Sequence, residues 1–279
     1  MLFEVEKISE QIYRISMPYV CCYLIVGKKQ AVLIDCGWGY GDSKGVAESI
    51  TDLPLTLILS HGHPDHIGGA APFEKVYLHE KDWGMVESQS QIDLRRRLML
   101  QSVPEDFVEN PDEWQAPRQE AYLPMDDETT FDLGEVTLLS FHVPGHTRGS
   151  MVFIIPEERI AIFGDGISHP TLIIFDNSAT IQEHYDALVK LEQYSHLYDR
   201  VLVNHESGEL DKVVLDNSIQ LAHKILAGED EKISASKRAQ QLSPDEKVYL
   251  ARKPKRWLPE DPKDIGNIYY REDKLRNSH

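Results

Sequence analysis

The first third of the chain alternates short apolar runs with turn residues. Runs of this length predict β-strands, and Gly27 followed by two lysines predicts a turn. A helix is predicted near Ser43–Ile50, and the order strand, helix, strand indicates a layered α/β arrangement. The predicted strands are Glu10–Pro18, Tyr19–Val26, Gln30–Ile34 and Leu55–Leu59.

This regular pattern breaks over Lys81–Leu123, where we predict a helix at Gln91–Gln101 within an irregular cover. Two more helices are predicted beyond it. One begins at a capping box formed by Thr180 and Glu183, and the other ends at Gly228. The later predicted strands are Thr129–Phe131, Val136–Val143, Met151–Ile155, Arg159–Phe163, Val201–Val203 and, as a last edge strand, Asn267–Tyr270.

The segment after the strand Leu55–Leu59 concentrates metal-binding side chains. It reads His61-Gly62-His63-Pro64-Asp65-His66, so three imidazoles and one carboxylate lie within six residues. Imidazole and carboxylate groups are common ligands of divalent zinc. Because loops at strand ends often display reactive groups, we predict a metal site here.

Three later donors also follow apolar strands. His146 comes after a Pro-Gly turn, Asp165 lies between two glycines, and His205 follows Val203-Asn204. Sheets of parallel character bring such strand ends together at one edge. We therefore expect these side chains to add to the ligand set of the first loop.

Taken in order, these residues resemble the ligand motifs of the metallo-β-lactamase fold superfamily of metal-dependent hydrolases. The resemblance covers roughly residues 10–226. The matching residues are Asp35, His61, His63, Asp65, His66, His146, Asp165 and His205.

The resemblance implies an α/β fold, a four-layer αββα sandwich of two mixed β-sheets flanked by helices. Residues 1–228 would form the catalytic domain, with an insertion at 81–123 covering the active site. Residues 229–279 would pack on the same domain as a C-terminal extension. Two divalent metal ions are implied, zinc in the first place, with iron or manganese as alternatives. One ion would be held by His61, His63 and His146, the other by Asp65, His66 and His205, with Asp165 bridging them.

The implied activity is hydrolysis of a small organic ester, thioester or lactone by a metal-bridging hydroxide, with Asp65 and Asp35 as catalytic residues. Asp35 would orient a ligand imidazole from beneath the site. Three alternatives stay open: a phosphodiesterase acting on a small phosphoester, a mononuclear iron dioxygenase and a non-catalytic metal-binding module. β-Lactam hydrolysis ranks low, because no export signal precedes the first strand.

Several further residues are candidates for a substrate pocket. Arg148 stands where the family often has proline, and it could hold an anionic group or pair with a surface acid. His169 could line the pocket. Trp83 and Met85 could overhang the metals or pack within the insertion.

For other polar residues a purely structural role stands beside the functional one. The triplet Arg95–Arg97 could recognise phosphate or carboxylate, or form a solvated helix face. His184 is expected to be solvated. The family often has glycine after the last histidine, where this chain has Glu206.

Composition limits the partners. A net charge of −17 disfavours nucleic acid and anionic membranes, so a small-molecule substrate is expected, with a homodimer left open. The absence of a signal peptide and of an apolar run of about 18 residues favours the cytoplasm. Cys21, Cys22 and Cys36 are expected to be small buried hydrophobes rather than a disulfide framework.

Overall fold

The computed structural model describes residues 2–127, 129–205, 208–254 and 261–277. The chain divides into two compact units. The first comprises Met1–Ser140, Ile155–Glu158 and Asn204–Gly208, and the second comprises Phe141–Ile154, Arg159–Val203 and Glu209–His279.

The first unit is built on a six-stranded mixed sheet. Its strands, adjacent in chain order, are β1 (Glu4–Lys7), β2 (Ile12–Met17), β3 (Val20–Val26), β4 (Ala31–Ile34), β5 (Leu55–Ile58) and β6 (Val76–Tyr77). The pairs from β1 to β4 are antiparallel, and β4, β5 and β6 run parallel. Two further strands, β7 (Thr130–Asp132) and β8 (Thr137–His142), form an antiparallel hairpin.

A row of leucines crosses this sheet and forms the core of the unit. Leu24, Leu33 and Leu57 are register partners on neighbouring strands, so their side chains share one face. They are fully buried and pack with Ile67 and Phe73. The structure confirms the long predicted strands. Each has enough apolar residues to cover a sheet face, which explains why it forms.

The first unit also contains four short helices: α1 (Ser43–Glu48), α2 (Pro64–Ile67), α3 (Trp83–Gln89) and α4 (Ile92–Leu100). The Asp42 side chain caps α1 by accepting a hydrogen bond from the Gly45 N–H at 2.9 Å. The helix predicted at Gln91–Gln101 is confirmed as α4. Its buried Met99 packs against Trp38 and Tyr40, so this part of the insertion is anchored on residues that precede it in the chain.

The second unit contains strands of two sheets and three helices. Its elements are β9 (Met151–Ile155), β10 (Ile160–Ile162), β11 (Thr171–Ile173), α5 (Ile181–Glu192), β12 (Arg200–Leu202), β13 (Glu209–Leu210), α6 (Val214–Ala227), β14 (Ile233–Ser234), α7 (Lys237–Gln241), β15 (Val248–Leu250) and β16 (Ile268–Arg271). Strands β13, β12, β10 and β9 lie side by side in that order. Strands β10 and β12 run parallel.

The predicted helix ends of this unit are confirmed. The Thr180 and Glu183 side chains form the capping box that starts α5. Gly228 ends α6 in the left-handed conformation, with φ of +71°.

A four-stranded sheet in the second unit corrects two expectations. Its order is β11-β16-β15-β14, so the described residues form a third sheet where two were expected. The segment predicted as a last edge strand is β16, which pairs with β11 on one side and β15 on the other. It is therefore an inner strand, and the edge assignment was wrong. The boundary at residue 228 stays a prediction.

Among the helices in the described part of the chain, none combines the length and the apolar character that a transmembrane span requires.

Candidate metal centre

The histidine-rich loop lies directly after β5, as predicted. Pro64 occupies the first turn of α2, where its missing N–H costs no hydrogen bond. This short helix places Asp65 and His66 one after the other on its first turn, while His61 and His63 precede it. The ring centroids of His61 and His66 are 4.0 Å apart, and those of His61 and His63 are 4.8 Å apart.

His205 joins this loop within the first unit. Its Nε2 lies 3.5 Å from Oδ2 of Asp65, and Nε2 of His66 lies 3.7 Å from the same oxygen. Two ligands on one tetrahedral zinc ion are separated by about 3.3 Å, given zinc–ligand bonds of about 2.0–2.1 Å. The three side chains are therefore spaced to hold a single divalent ion. We call His61, His63, Asp65, His66 and His205 the first donor group.

The second unit brings two of the other predicted ligands together. His146 follows β8 through the Pro144-Gly145 turn, and Asp165 follows β10 after Gly164, whose φ is +53°. Nε2 of His146 lies 3.5 Å from Oδ2 of Asp165. These two residues form the second donor group, whose atoms are also spaced for a shared ion.

Asp35 holds His66 in a defined orientation. The Asp35 carboxylate is fully buried and accepts the Nδ1–H of His66 at 2.9 Å. It also accepts the backbone N–H and the hydroxyl of Ser60, at 2.7 and 2.8 Å, and the Asn204 amide at 3.0 Å. Four donors offset the desolvation of the buried carboxylate. Because Nδ1 carries the proton, the Nε2 lone pair of His66 is directed away from Asp35 and is available to a metal.

Main-chain carbonyls orient two more histidines in the same way. Nδ1 of His146 donates to the Leu172 carbonyl at 2.9 Å, and Nδ1 of His205 donates to the Tyr19 carbonyl at 2.7 Å. Tyr19 adopts φ of +73° at this position. Each of these rings therefore presents Nε2 as the metal-binding nitrogen. Such second partners are typical of histidines that ligate metals, so the donor set fits a divalent ion.

His184 supports the turn that carries His146, which sequence reasoning missed. Its ring is fully buried, and Nδ1 donates to the Pro144 carbonyl at 2.9 Å. Burial lowers the pKa of His184 to about 4, so the ring is neutral near pH 7. A Cβ on Gly145 would lie 2.4 Å from the ring, so only glycine fits there. The expectation of a solvated His184 was wrong; its helical spacing with Ile181 and Leu188 was the available signal.

Arg95 is a second correction. Both expectations for it were wrong, because its side chain is fully buried and bonds to main-chain carbonyls. Its guanidinium donates to the carbonyls of Trp38, Gly68, Ser90 and Gln115. Burial lowers its pKa to about 10. Arg96 pairs with Glu109 instead.

The remaining pocket candidates lie in different surroundings. Met85 is half-buried beside the histidine-rich loop, where a Cβ on Gly62 would meet its side chain at 2.9 Å. Trp83 is 39% exposed, and its indole donates to the Leu78 carbonyl. In the second unit Arg148 is exposed and His169 is buried. Their roles toward a substrate stay predictions.

Comparison with known proteins agrees with this geometry. The family sequence model for the Metallo-beta-lactamase superfamily matches residues 19–198, well over half of the chain. The chain therefore belongs to the metallo-beta-lactamase superfamily, and the predicted family is confirmed.

Two relatives are named for their enzymatic activities. The chain is 30% identical to the hydroxyacylglutathione hydrolase GloC of Haemophilus influenzae over 52% of this chain and 65% of the relative. It is 29% identical to the human acyl-coenzyme A thioesterase MBLAC2 over 65% of this chain and 69% of the relative. The match thus spans about two thirds of the length of each relative. These relatives support a metal-dependent hydrolase of the superfamily.

Solved structures confirm the fold class. A metallo-beta-lactamase from Pontibacter korlensis superposes with a TM-score of 0.59 at 19% identity, covering 79% of this chain and all but 1% of its own. The FIM-1 enzyme from Pseudomonas aeruginosa, in its mono-zinc form, superposes with a TM-score of 0.58 at 17% identity. The match covers 81% of this chain and 96% of that enzyme. At these identities the likeness concerns the fold alone.

Proposed function

We propose that this protein is a zinc-dependent thioesterase that hydrolyses a small acyl thioester, with oxygen esters and lactones as slower substrates. The observation that carries the proposal is the set of oriented histidines in the two donor groups. Nδ1 of each ring donates its proton to an oxygen acceptor. Nε2 is therefore the unprotonated nitrogen, as metal ligation requires. The thioester preference is supported by the relatives, since one is named as a thioesterase and a hydroxyacylglutathione is itself a thioester.

The family resemblance supports one binuclear centre served by both donor groups. The proposed ligands are His61, His63 and His146 for one ion and Asp65, His66 and His205 for the other, with Asp165 shared. When bound, the metal ions would lower the pKa of water toward about 7 and would polarise the carbonyl of the substrate. Carboxylates from Asp65 and Asp165 reduce the repulsion between two cations, while neutral imidazoles preserve their electrophilic character.

Residues around the donor groups would select the substrate. Met85 offers apolar surface beside the first donor group, and the partly exposed Trp83 begins the same helix. Such apolar surface is suited to an acyl chain. Arg148 offers an exposed guanidinium two residues after His146, suited to an anionic group on the thiol portion.

A substrate panel tests the proposal. Zinc-loaded protein would be assayed with an acyl-CoA, an acyl glutathione, a nitrophenyl ester, a lactone and a nitrophenyl phosphodiester. We expect kcat/KM to be at least tenfold higher for a thioester than for the others. Asp65→Ala should reduce turnover at least 100-fold, and exposed Asp52→Ala should not change it. Fastest turnover of the phosphodiester, or full activity of Asp65→Ala, would refute the proposal.

A further inference from the structure

The second donor group depends on a loop that no sequence motif marks. Residues 174–179 follow β11, and we call them the bracket loop. Their inner side holds the turn that carries His146. The Ser178 hydroxyl donates to the His146 carbonyl at 2.7 Å, and the Phe175 ring packs edge-on against the His146 ring with centroids 5.5 Å apart.

Two backbone bonds complete this inner side. The Arg148 N–H donates to the Asn177 carbonyl at 3.0 Å, and the Ala179 N–H donates to the Gly145 carbonyl at 3.0 Å. The turn is therefore bonded to the bracket loop before and after His146, as well as at His146 itself. A displacement of the loop would displace the ligand.

The outer side of the bracket loop is held by two cations from the C-terminal end of the chain. Lys274 donates to the carbonyls of Asp176 and Ser178 at 2.9 and 3.2 Å, and Arg271 donates to the Ile174 carbonyl at 3.2 Å. Their side chains are buried, at 8% and 6% exposure. Alternate carbonyls of the loop thus accept hydrogen bonds from one short C-terminal segment.

The same segment also fixes the acceptor of the His146 ring. Leu172, whose carbonyl accepts the Nδ1–H of His146, is the middle residue of β11. Strand β11 is paired in parallel with β16, with Leu172 opposite Tyr269. Strand β16 and Lys274 lie beyond residue 198, where the superfamily match ends.

We propose that Arg271 and Lys274 are positioning residues for His146. They hold the bracket loop, and the bracket loop with β11 sets the orientation of the imidazole. A buried ammonium on two carbonyls is costly to desolvate unless both bonds form, so Lys274 locks one loop conformation. This inference rests on the proposed function only in treating His146 as a metal ligand.

The test uses Lys274→Met, which keeps the length of the side chain and removes its donors. Lys232→Met is the matched control, because that ammonium pairs with Glu272 on the surface of the same C-terminal segment. Ring ¹⁵N spectra of metal-free protein at pH 7.5 would report the tautomer of His146. Zinc titration against a chelator would report the affinity of each metal equivalent.

We expect the wild type and Lys232→Met to show the Nδ1–H tautomer of His146, and Lys274→Met to show a mixture. The zinc equivalent that uses His146 should weaken about tenfold, while the spectra of His66 and His205 stay unchanged. Should Lys274→Met fail to fold, Ser178→Ala breaks the direct bond to His146 and should give the same spectral change.

An unchanged His146 tautomer together with unchanged zinc affinities would overturn the inference, even if the melting temperature fell. Neither measurement uses a substrate, so a protein without thioesterase activity would still decide it. Conversely, normal thioester turnover by the wild type, with neither the His146 spectrum nor the zinc affinities changed in Lys274→Met, would reject the positioning role alone.

Discussion

Single side chains decide whether a cluster of histidines can bind metal, and Asp35 is the clearest example. Its carboxylate is anchored by Ser60 and Asn204 and in turn fixes the His66 ring. The bonds to Ser60 and Asn204 hold the carboxylate so that one oxygen faces His66. The orientation of the ligand is thus set before any metal arrives.

Asp35→Asn should therefore weaken metal binding. The substitution replaces one acceptor oxygen with an amide, which cannot accept the Nδ1–H of His66 and satisfy the other donors together. We expect zinc affinity to fall about 10–100-fold, measured by competition with a chelator. Asp52→Asn, at an exposed position, is the control. Retention of full affinity by Asp35→Asn would show that the carboxylate does not orient His66.

His184 should make the stability of the protein sensitive to mild acid. Its pKa is about 4 in the folded protein and about 6.5 when exposed, so between these pH values the unfolded chain binds more protons. The free energy of unfolding should therefore decrease as the pH falls from 6.5 to 4, by up to about 3 kcal/mol at about 1.4 kcal/mol per pH unit.

The measurement is urea unfolding of metal-free protein across this pH range. His184→Gln keeps a donor for the Pro144 carbonyl and should lose that part of the pH dependence. Exposed His223→Gln should keep it. Equal pH dependence in His184→Gln and the wild type would mean that the buried ring does not contribute.

Local sequence predicted the donors but not the residues that orient them. The spacing of His61, His63 and His66 is visible within six positions, and the Pro-Gly turn before His146 indicates a strand end. The partners of Arg95 and His184 are carbonyl oxygens, some of them far along the chain, and carbonyls carry no sequence signal. Helical spacing could have indicated the burial of His184, whereas that of Arg95 could be established only from the folded structure.

Among the elements, the end of α6 shows how one residue fixes the exit of a helix. Gly228 has φ of +71° with open space around it, so the constraint there is backbone conformation and not crowding. Gly84, near the start of α3, also has open space but no positive φ.

These two glycines should respond oppositely to alanine. Gly228→Ala should destabilise the protein by about 1 kcal/mol, because a side chain disfavours the left-handed region. Gly84→Ala should stabilise it by about 0.5–1 kcal/mol through lower backbone entropy and higher helix propensity. Denaturant unfolding would measure both, and equal shifts in the same direction would contradict this account.

The strands differ in how far sequence predicts them, and length alone does not decide it, since the three-residue strands β10 and β12 were predicted. Strands β3 and β9 are continuous apolar runs and were also predicted, whereas β6, β11 and β14, of two or three residues, were not. All four residues of β1 are exposed, and three are charged, so no hydrophobic pattern marks it.

At the scale of the whole molecule, the C-terminal residues complete the second unit. Ile268 and Tyr270 of β16 share a core with Ile173, Ile181 and Ala222. The wrong assignment of β16 as an edge strand has a physical reason: its partner β11 lies almost a hundred residues earlier, and local pattern cannot reveal such pairing.

A chain ending at Gly228 should therefore lose its cooperative thermal transition or its solubility. It would expose β11 and remove Ala251, Ile268 and Tyr270 from that core. Ile268→Ala in the full chain is a milder form of the same change and should cost about 2–5 kcal/mol of stability. Scanning calorimetry would measure both. A truncated chain melting within a few degrees of the full one would show that the extension is dispensable.

The three buried thiols have a practical consequence. Burial raises the pKa of Cys21 to about 11 and that of Cys22 well above its usual range, and Cys36 is shifted in the same direction. Since thiolates are the reactive form, all three should resist alkylation at neutral pH. A cysteine introduced at Val108, which is 88% exposed, should be labelled selectively by a maleimide dye, with mass spectrometry showing one adduct. The insertion could then be followed by fluorescence without first replacing any native cysteine.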